Sequence, residues 1–232
     1  LLFFLFAGAS SAVGGNNKNA LSVQAIATSS ESIQVTWEVP SSYTRKVIKN
    51  HVLYLLGSAV LAQFSVQPET TTYTFTGLSP FTNYSVAVQT IFTGTKKLAL
   101  YGGTSTVTWP TAGQQAKDLS FPHTRARSIE VTWSVPEKPG GEIKTFQVQA
   151  TNTRTGKKVA IETLETTTSF FGLDPNTKYN ISVKTQNKQL NGHGGGVGPA
   201  VTAEVTTLQL GKCCQYYSLY FYATTNYSAQ GA

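Results

Sequence analysis

The stretch that decides the fold is Leu173-Asp174-Pro175-Asn176-Thr177-Lys178-Tyr179, which has a twin in Leu78-Ser79-Pro80-Phe81-Thr82-Asn83-Tyr84. In both, a leucine precedes a proline-containing turn, and the final tyrosine opens a run of alternating apolar and polar residues. Proline presets φ for a turn and is excluded from central strands, so each copy joins two strands. The alternation buries the tyrosine ring, and its hydroxyl can bond back to the turn. This arrangement is the tyrosine corner of a Greek-key β-sandwich.

A second motif recurs at the same period. Ile33-Gln34-Val35-Thr36-Trp37 matches Ile129-Glu130-Val131-Thr132-Trp133, and the tryptophans are 96 residues apart, while the two tyrosines are 95 apart. Each run predicts a half-buried strand with its tryptophan in the core. The sequence therefore predicts an all-β chain with two seven-stranded, immunoglobulin-like Greek-key sandwiches in tandem. Their structural core residues are Trp37, Tyr84, Trp133 and Tyr179.

These paired motifs, Ile-x-Val-x-Trp and Leu-x-Pro-x-Thr-x-Tyr, resemble the fibronectin type III family over about residues 19–209. The proline that commonly opens such repeats is missing before Ser22 and before Lys117. The only cysteines, Cys213 and Cys214, are adjacent and lie outside both repeats, so no disulfide pins either sandwich.

These patterns, with the composition of the two termini, divide the chain into four predicted segments. The apolar N-terminus with small residues after it reads as a truncated secretory signal, too short for a membrane span. From Cys213 onward the tail is aromatic, uncharged and interrupted by polar residues, and it matches neither repeat. The predicted segments are a signal peptide at 1–15, repeats at 19–112 and 113–209, and an irregular tail at 210–232.

The net charge of +7 is spread along the chain. Residues 19–112 carry 5 basic and 3 acidic side chains, net +2, and residues 113–209 carry 11 and 8, net +3. Because neither repeat is a basic arm, a nucleic-acid partner is not expected. Weak attraction to acidic glycans remains compatible with the mildly basic surface.

No enzymatic pattern is present in the sequence. His51, His123 and His193 lack a neighbouring Cys, His or carboxylate at metal-ligand spacing, and each is interpreted as a lone surface histidine. The Gly-rich segment 192–198 breaks the dinucleotide spacing and precedes a strand, so it is interpreted as the flexible loop between the last two strands. We expect no catalytic residue, no cofactor, no metal and no enzyme activity within these residues.

Two loops are candidate binding loops. In the resembled family, adhesion motifs are often presented in the loop that here contains His193, although the integrin-binding Arg-Gly-Asp triplet is absent. In the first repeat, the predicted late loop 93–103 would expose a basic and apolar tip. Its candidate residues are Lys96, Lys97, Leu98, Leu100 and Tyr101. The pair Lys157-Lys158 is predicted to flank an exposed hairpin turn and is a hypothetical contact for heparin-like chains.

Three Asn-x-Ser sequons begin at Asn83, Asn180 and Asn226. Asn180 follows an inward tyrosine and is expected to point outward, and Asn83 is expected to lie exposed in the turn. In a secreted chain both are predicted to carry glycans. Asn226 belongs to the tail and is the weaker site.

The resemblance implies an extracellular module for protein–protein contact or adhesion, which spaces a receptor ectodomain or a matrix protein. Such pairs occur in adhesion proteins and receptor-type tyrosine phosphatases. The expected location is secreted, or on the extracellular face of the plasma membrane. Two alternatives stay open: a carbohydrate-associated accessory module of a secreted enzyme, and a cytokine-receptor-like ligand-binding pair. The protein partner is not defined by the sequence.

Overall fold

The computed structural model describes residues 21–43, 45–57, 59–94 and 98–211. The predicted signal peptide, both cysteines, Asn226 and nearly all of the predicted tail lie outside these residues. The described residues form two compact units. The first unit contains those up to Thr111 together with Lys188–Gly195, and the second contains Ala112–Asn187 and those from Gly196 onwards.

The described part of the first unit contains seven strands in two antiparallel sheets. A short 3-10 helix, Ser41–Tyr43, follows the second strand. One sheet has the order β1-β2-β5 and the other has the order β4-β3-β6-β7. The strands are β1 (Ser22–Ala27), β2 (Ile33–Glu38), β3 (Ile48–Leu56), β4 (Val60–Val66), β5 (Thr72–Phe75), β6 (Asn83–Phe92) and β7 (Ala99–Val107).

The second unit repeats this topology in its described residues, with sheet orders β8-β9-β12 and β11-β10-β13-β14. Its strands are β8 (Lys117–Ser120), β9 (Ser128–Ser134), β10 (Ile143–Asn152), β11 (Lys158–Thr163), β12 (Thr167–Phe171), β13 (Lys178–Asn187) and β14 (Gly196–Thr206). Two sheets of three and four strands with this order form the predicted Greek-key sandwich, so the predicted fold class is confirmed.

Alternation along the strands builds each core. On β2, Ile33, Val35 and Trp37 are buried while the residues between them are exposed. On β9, Ile129, Val131 and Trp133 are buried while the residues between them are half-buried. Each tryptophan is 4% exposed. Since inward residues from both sheets meet, each unit has its own apolar core and relies on packing instead of a covalent link.

The two corner motifs adopt one geometry. The Tyr84 hydroxyl accepts a hydrogen bond from the backbone N–H of Ser79 at 2.9 Å, and the Tyr179 hydroxyl accepts one from the N–H of Asp174 at 2.9 Å. Both tyrosine rings are buried. Each hydroxyl thus ties the start of a central strand to the turn before it.

Candidate interaction surfaces

The outward side of the first unit's four-stranded sheet carries an apolar cluster. Leu53 and Leu55 of β3 point into the core, whereas Val52 and Tyr54 belong to a separate cluster with Ala87 of β6. Because successive side chains of a strand point to opposite faces, this second cluster lies on the outward side. We call it, with Gln89 and Tyr101, the tyrosine face.

Hydrogen bonds run across the tyrosine face. The Tyr54 hydroxyl donates to Gln89 Oε1 at 3.0 Å, and Gln89 Nε2 donates to the Tyr101 hydroxyl at 2.7 Å. Burial raises the pKa of the Tyr54 hydroxyl, and the neighbouring Tyr101 raises it further. Tyr54 is 6% exposed and Tyr101 is 42% exposed, so Gln89 links a buried tyrosine to an accessible one.

The position of Tyr101 corrects the predicted late loop. The structure places Ala99–Val107 in strand β7, paired with β6, and not in a loop extending to residue 103. Leu100 is 4% exposed in the core, which contradicts the predicted exposed tip, while Tyr101 points outward. Leu100 points inward and Tyr101 outward because successive residues of a strand alternate between its faces. The strand continues through Gly102 and Gly103, the two glycines that suggested a loop. The candidate residues Lys96 and Lys97 lie outside the described residues.

The second unit presents a different chemistry on the equivalent sheet. Register pairs Gln147 with Lys184 and Gln149 with Ser182, where the first unit has Val52 paired with Gln89 and Tyr54 paired with Ala87. The tyrosine face, apart from Tyr101, is not among the candidate residues predicted from the sequence. Its signal is the unbroken apolar run 52–56, which is typical of a strand covered on both sides.

A basic turn joins β10 and β11. Asn152 Oδ1 accepts hydrogen bonds from the backbone N–H groups of Arg154 and Thr155, each at 3.0 Å, and the Asn152 carbonyl accepts one from Gly156 at 2.9 Å. Gly156 has φ 73°, which suits glycine. The turn therefore holds its shape locally while Arg154, Lys157 and Lys158 stay exposed.

His193 lies in a tight turn. The backbones of Leu190 and His193 exchange two hydrogen bonds of 2.9 Å. Within the first unit, the His193 ring stacks on Trp109 with centroids 4.4 Å apart and planes 5° apart. The predicted loop over 192–198 is too long, because β14 already begins at Gly196.

The interpretation of His51 as a surface histidine is wrong. This residue is 1% exposed, so it is not a surface histidine, whereas His123 and His193 are exposed. Its alternation with Leu53 and Leu55 points it into the core.

Two sequons lie on accessible strand positions. Asn83 is exposed as the first residue of β6, not within the turn as predicted, and Asn180 is exposed on β13. Across the sheet, Asn180 pairs with Thr151 and Glu204.

The described residues contain no cluster of three His, Cys, Asp or Glu side chains that could bind a metal ion. Over the same ranges, the structure has no helix of the length and apolar character that crossing a bilayer requires.

Together, the paired sheets, the tyrosine corners and the core tryptophans define a class of β-sandwich domain. The model of the Fibronectin type III domain matches residues 19–99 and 114–197. This chain belongs to the fibronectin type III family and contains two of its repeats.

Three curated proteins show similarity to the chain. Neogenin of Mus musculus is 29% identical over 175 residues, covering 71% of this chain and 11% of Neogenin. Usherin of Mus musculus is 30% identical over 127 residues, covering 53% of this chain and 2% of Usherin. Phosphatidylinositol phosphatase PTPRQ of Homo sapiens is 26% identical over 181 residues, covering 77% and 8% respectively. The chain spans a small part of each relative.

Proposed function

We propose that this chain is an extracellular protein–protein interaction module, part of the ectodomain of a receptor or of a matrix protein, and that the tyrosine face is its contact surface. Its family membership supports a binding module. The observation that carries the choice of surface is the chemistry of the tyrosine face, where the exposed Tyr101 is hydrogen-bonded through Gln89 to Tyr54 of an apolar cluster.

The composition of this sheet favours a protein partner. Strands β6 and β7 contain no Asp, Glu, Lys or Arg, and β3 contains only Lys49. Interface cores are depleted in charge and enriched in tyrosine, which combines a large apolar ring with a polar hydroxyl. The partner surface that fits is therefore uncharged and apolar, with acceptors or donors for the Tyr101 hydroxyl.

Glycosylation is a second part of the proposal. Asn83 lies on the outward side of β6, six residues from Gln89 and hence about 20 Å along the strand. A glycan there attaches at the end of β6 away from Gln89 and its partner Tyr101. On the second unit, a glycan at Asn180 covers a central strand.

The test is a binding screen with the secreted, glycosylated chain. The chain is multimerised and presented to the secreted and cell-surface proteins of the source organism. We expect a specific partner whose binding falls by about tenfold or more with Tyr101→Asp, since hot-spot tyrosines contribute energy on this scale. The matched control Gln24→Asp places the same charge on β1, an edge strand of the other sheet, and should leave binding unchanged.

Acidic glycans are a second candidate, favoured by the basic turn. The glycan function replaces the protein-binding one if three results occur together. The screen signal persists in Tyr101→Asp, it disappears after heparinase treatment, and it also disappears in Lys157→Glu/Lys158→Glu. The control Lys144→Glu/Lys184→Glu makes the same change in net charge away from the turn. Retention of the wild type on a heparin column at physiological salt would support the glycan function, and elution in the flow-through would count against it.

A further inference from the structure

A histidine is buried against the first unit's core. His51 lies on β3 with 1% of its surface exposed, and its ring meets the edge of Trp37 at a centroid distance of 5.4 Å and an angle of 65°. Buried ionisable side chains are rare in cores because the charged form loses its hydration.

Both ring nitrogens of His51 have partners. Nε2 lies 3.1 Å from the carbonyl oxygen of Pro68, which can only accept, so Nε2 carries the hydrogen. Nδ1 lies 2.8 Å from Thr90 Oγ1 and accepts the hydrogen of that hydroxyl. This pattern fits the neutral ring. A proton added at Nδ1 would make the Thr90 hydroxyl turn its own hydrogen away and accept instead, so that hydrogen would lose its present acceptor.

The second unit supplies an internal comparison. Register pairs His51 with Thr90, and at the equivalent position it pairs Phe146 with Thr185. Phe146 meets Trp133 at 5.5 Å and 68°, almost the same arrangement as His51 with Trp37. The Thr185 hydroxyl is buried and has no hydrogen-bond partner in the structure. The fold therefore accepts a phenyl ring here, and the first unit has a titratable ring instead.

Among the described residues, no salt bridge involves His51, and the influences on its pKa are burial and the Pro68 carbonyl. Strands β4 and β6 carry no charged residue. The charged residues on adjoining segments are Glu38 of β2, Lys49 of β3 and Glu69 after β4, and all three are exposed. Burial lowers the pKa of His51 below 6.5, partly offset by the bond to Pro68.

We propose that His51 makes the first unit acid-sensitive: as the pH falls below neutrality, the core around β3 and β6 opens more often, while the second unit is unaffected by this group. This inference is independent of the proposed partner. The unfolded chain takes up a proton at the ordinary histidine pKa, whereas the folded ring resists it. The stabilisation is thus complete above pH 6.5 and is lost as the pH falls from there toward the lower folded pKa.

Hydrogen–deuterium exchange of the whole chain tests the proposal, because peptides report on each unit separately. Exchange is measured at pH 7.5 and pH 5.0 and corrected for the intrinsic rate. We expect the opening constant of β3 and β6 to increase several-fold at pH 5.0 relative to that of β10 and β13. The upper limit is about 30-fold, reached if the folded ring stays neutral throughout.

Two variants isolate the histidine. His51→Phe copies the second unit, and His51→Gln keeps polar atoms without titrating in this range. Both should abolish the excess opening of the first unit at pH 5.0. If His51→Phe does not fold, His51→Gln decides. An equal response of both units in the wild type, or an excess that survives in the folded variants, would overturn the proposal.

Discussion

At the scale of single residues, the two corner motifs share an unusual backbone conformation. Phe81 and Asn176 occupy equivalent positions, and both have φ 47°. Their N–H groups make equivalent bonds, to the carbonyls of Trp109 at 3.3 Å and Leu208 at 3.1 Å. Asparagine tolerates this left-handed region, whereas a bulky residue is strained in it. The first unit therefore carries strain that its twin avoids.

Phe81→Asn should relieve this strain. We expect the free energy of unfolding of the first unit to rise by about 1 kcal/mol, the scale of the left-handed penalty. The reciprocal change Asn176→Phe should lower that of the second unit by a similar amount. Denaturant-dependent hydrogen exchange measures both. Unchanged or reduced stability in Phe81→Asn would show that ring contacts of Phe81, which is 41% exposed, outweigh the strain.

Residue-level prediction succeeded where the signal is local. The tyrosine corners follow from seven consecutive residues, because the turn and the tyrosine that closes it are neighbours in sequence. The burial of His51 could not be predicted in this way. Its partner Thr90 lies 39 residues away, and only the register of β3 on β6 brings them together.

At the scale of strands, β1 and β7 approach unusually closely. The N–H of Leu21 donates to the Tyr101 carbonyl at 3.2 Å. A Cβ on Gly102 would overlap the Leu21 carbonyl oxygen and lie 2.7 Å from a methyl carbon of Val23. Glycine is thus required where the start of β1 crosses β7.

Gly102→Ala should destabilise the first unit by about 1–3 kcal/mol, the usual cost of forcing atoms into a packed site. Ser105→Ala, at an exposed position on the same strand, should change stability little. Thermal unfolding and exchange in β1 and β7 provide the measurement. Equal stability of Gly102→Ala and the wild type would mean that β1 does not require this close approach.

The same glycines explain an error of sequence interpretation. Gly102-Gly103 suggests a loop by composition, but pairing to β6 continues through both residues. Strand β4 is weakly indicated by the sequence for another reason. It is an edge strand in which the apolar residues Val60 and Leu61 are exposed, so its sequence does not show a clear alternation between a buried and an exposed face.

At the scale of the whole molecule, the two units share topology but not surface. Core periodicity repeats every 95 or so residues and predicts both sandwiches. The outward positions follow no such repeat: β3 places Val52 and Tyr54 where β10 has Gln147 and Gln149. A fold needs only its inward residues, so the sequence predicts the sandwiches well and the interaction surface poorly.

The last prediction concerns N-glycosylation of the whole chain when it is secreted. Expression through a eukaryotic secretory pathway should add one glycan at each exposed sequon, Asn83 and Asn180. Intact mass before and after enzymatic deglycosylation measures occupancy, and Asn83→Gln and Asn180→Gln should each remove one glycan. The matched controls Ser85→Thr and Ser182→Thr keep the sequons and should retain both. An unshifted mass of the secreted wild type would contradict the prediction. Since acceptor asparagines must be accessible to the modifying enzyme, that result would mean that the enzyme does not reach Asn83 and Asn180 during secretion.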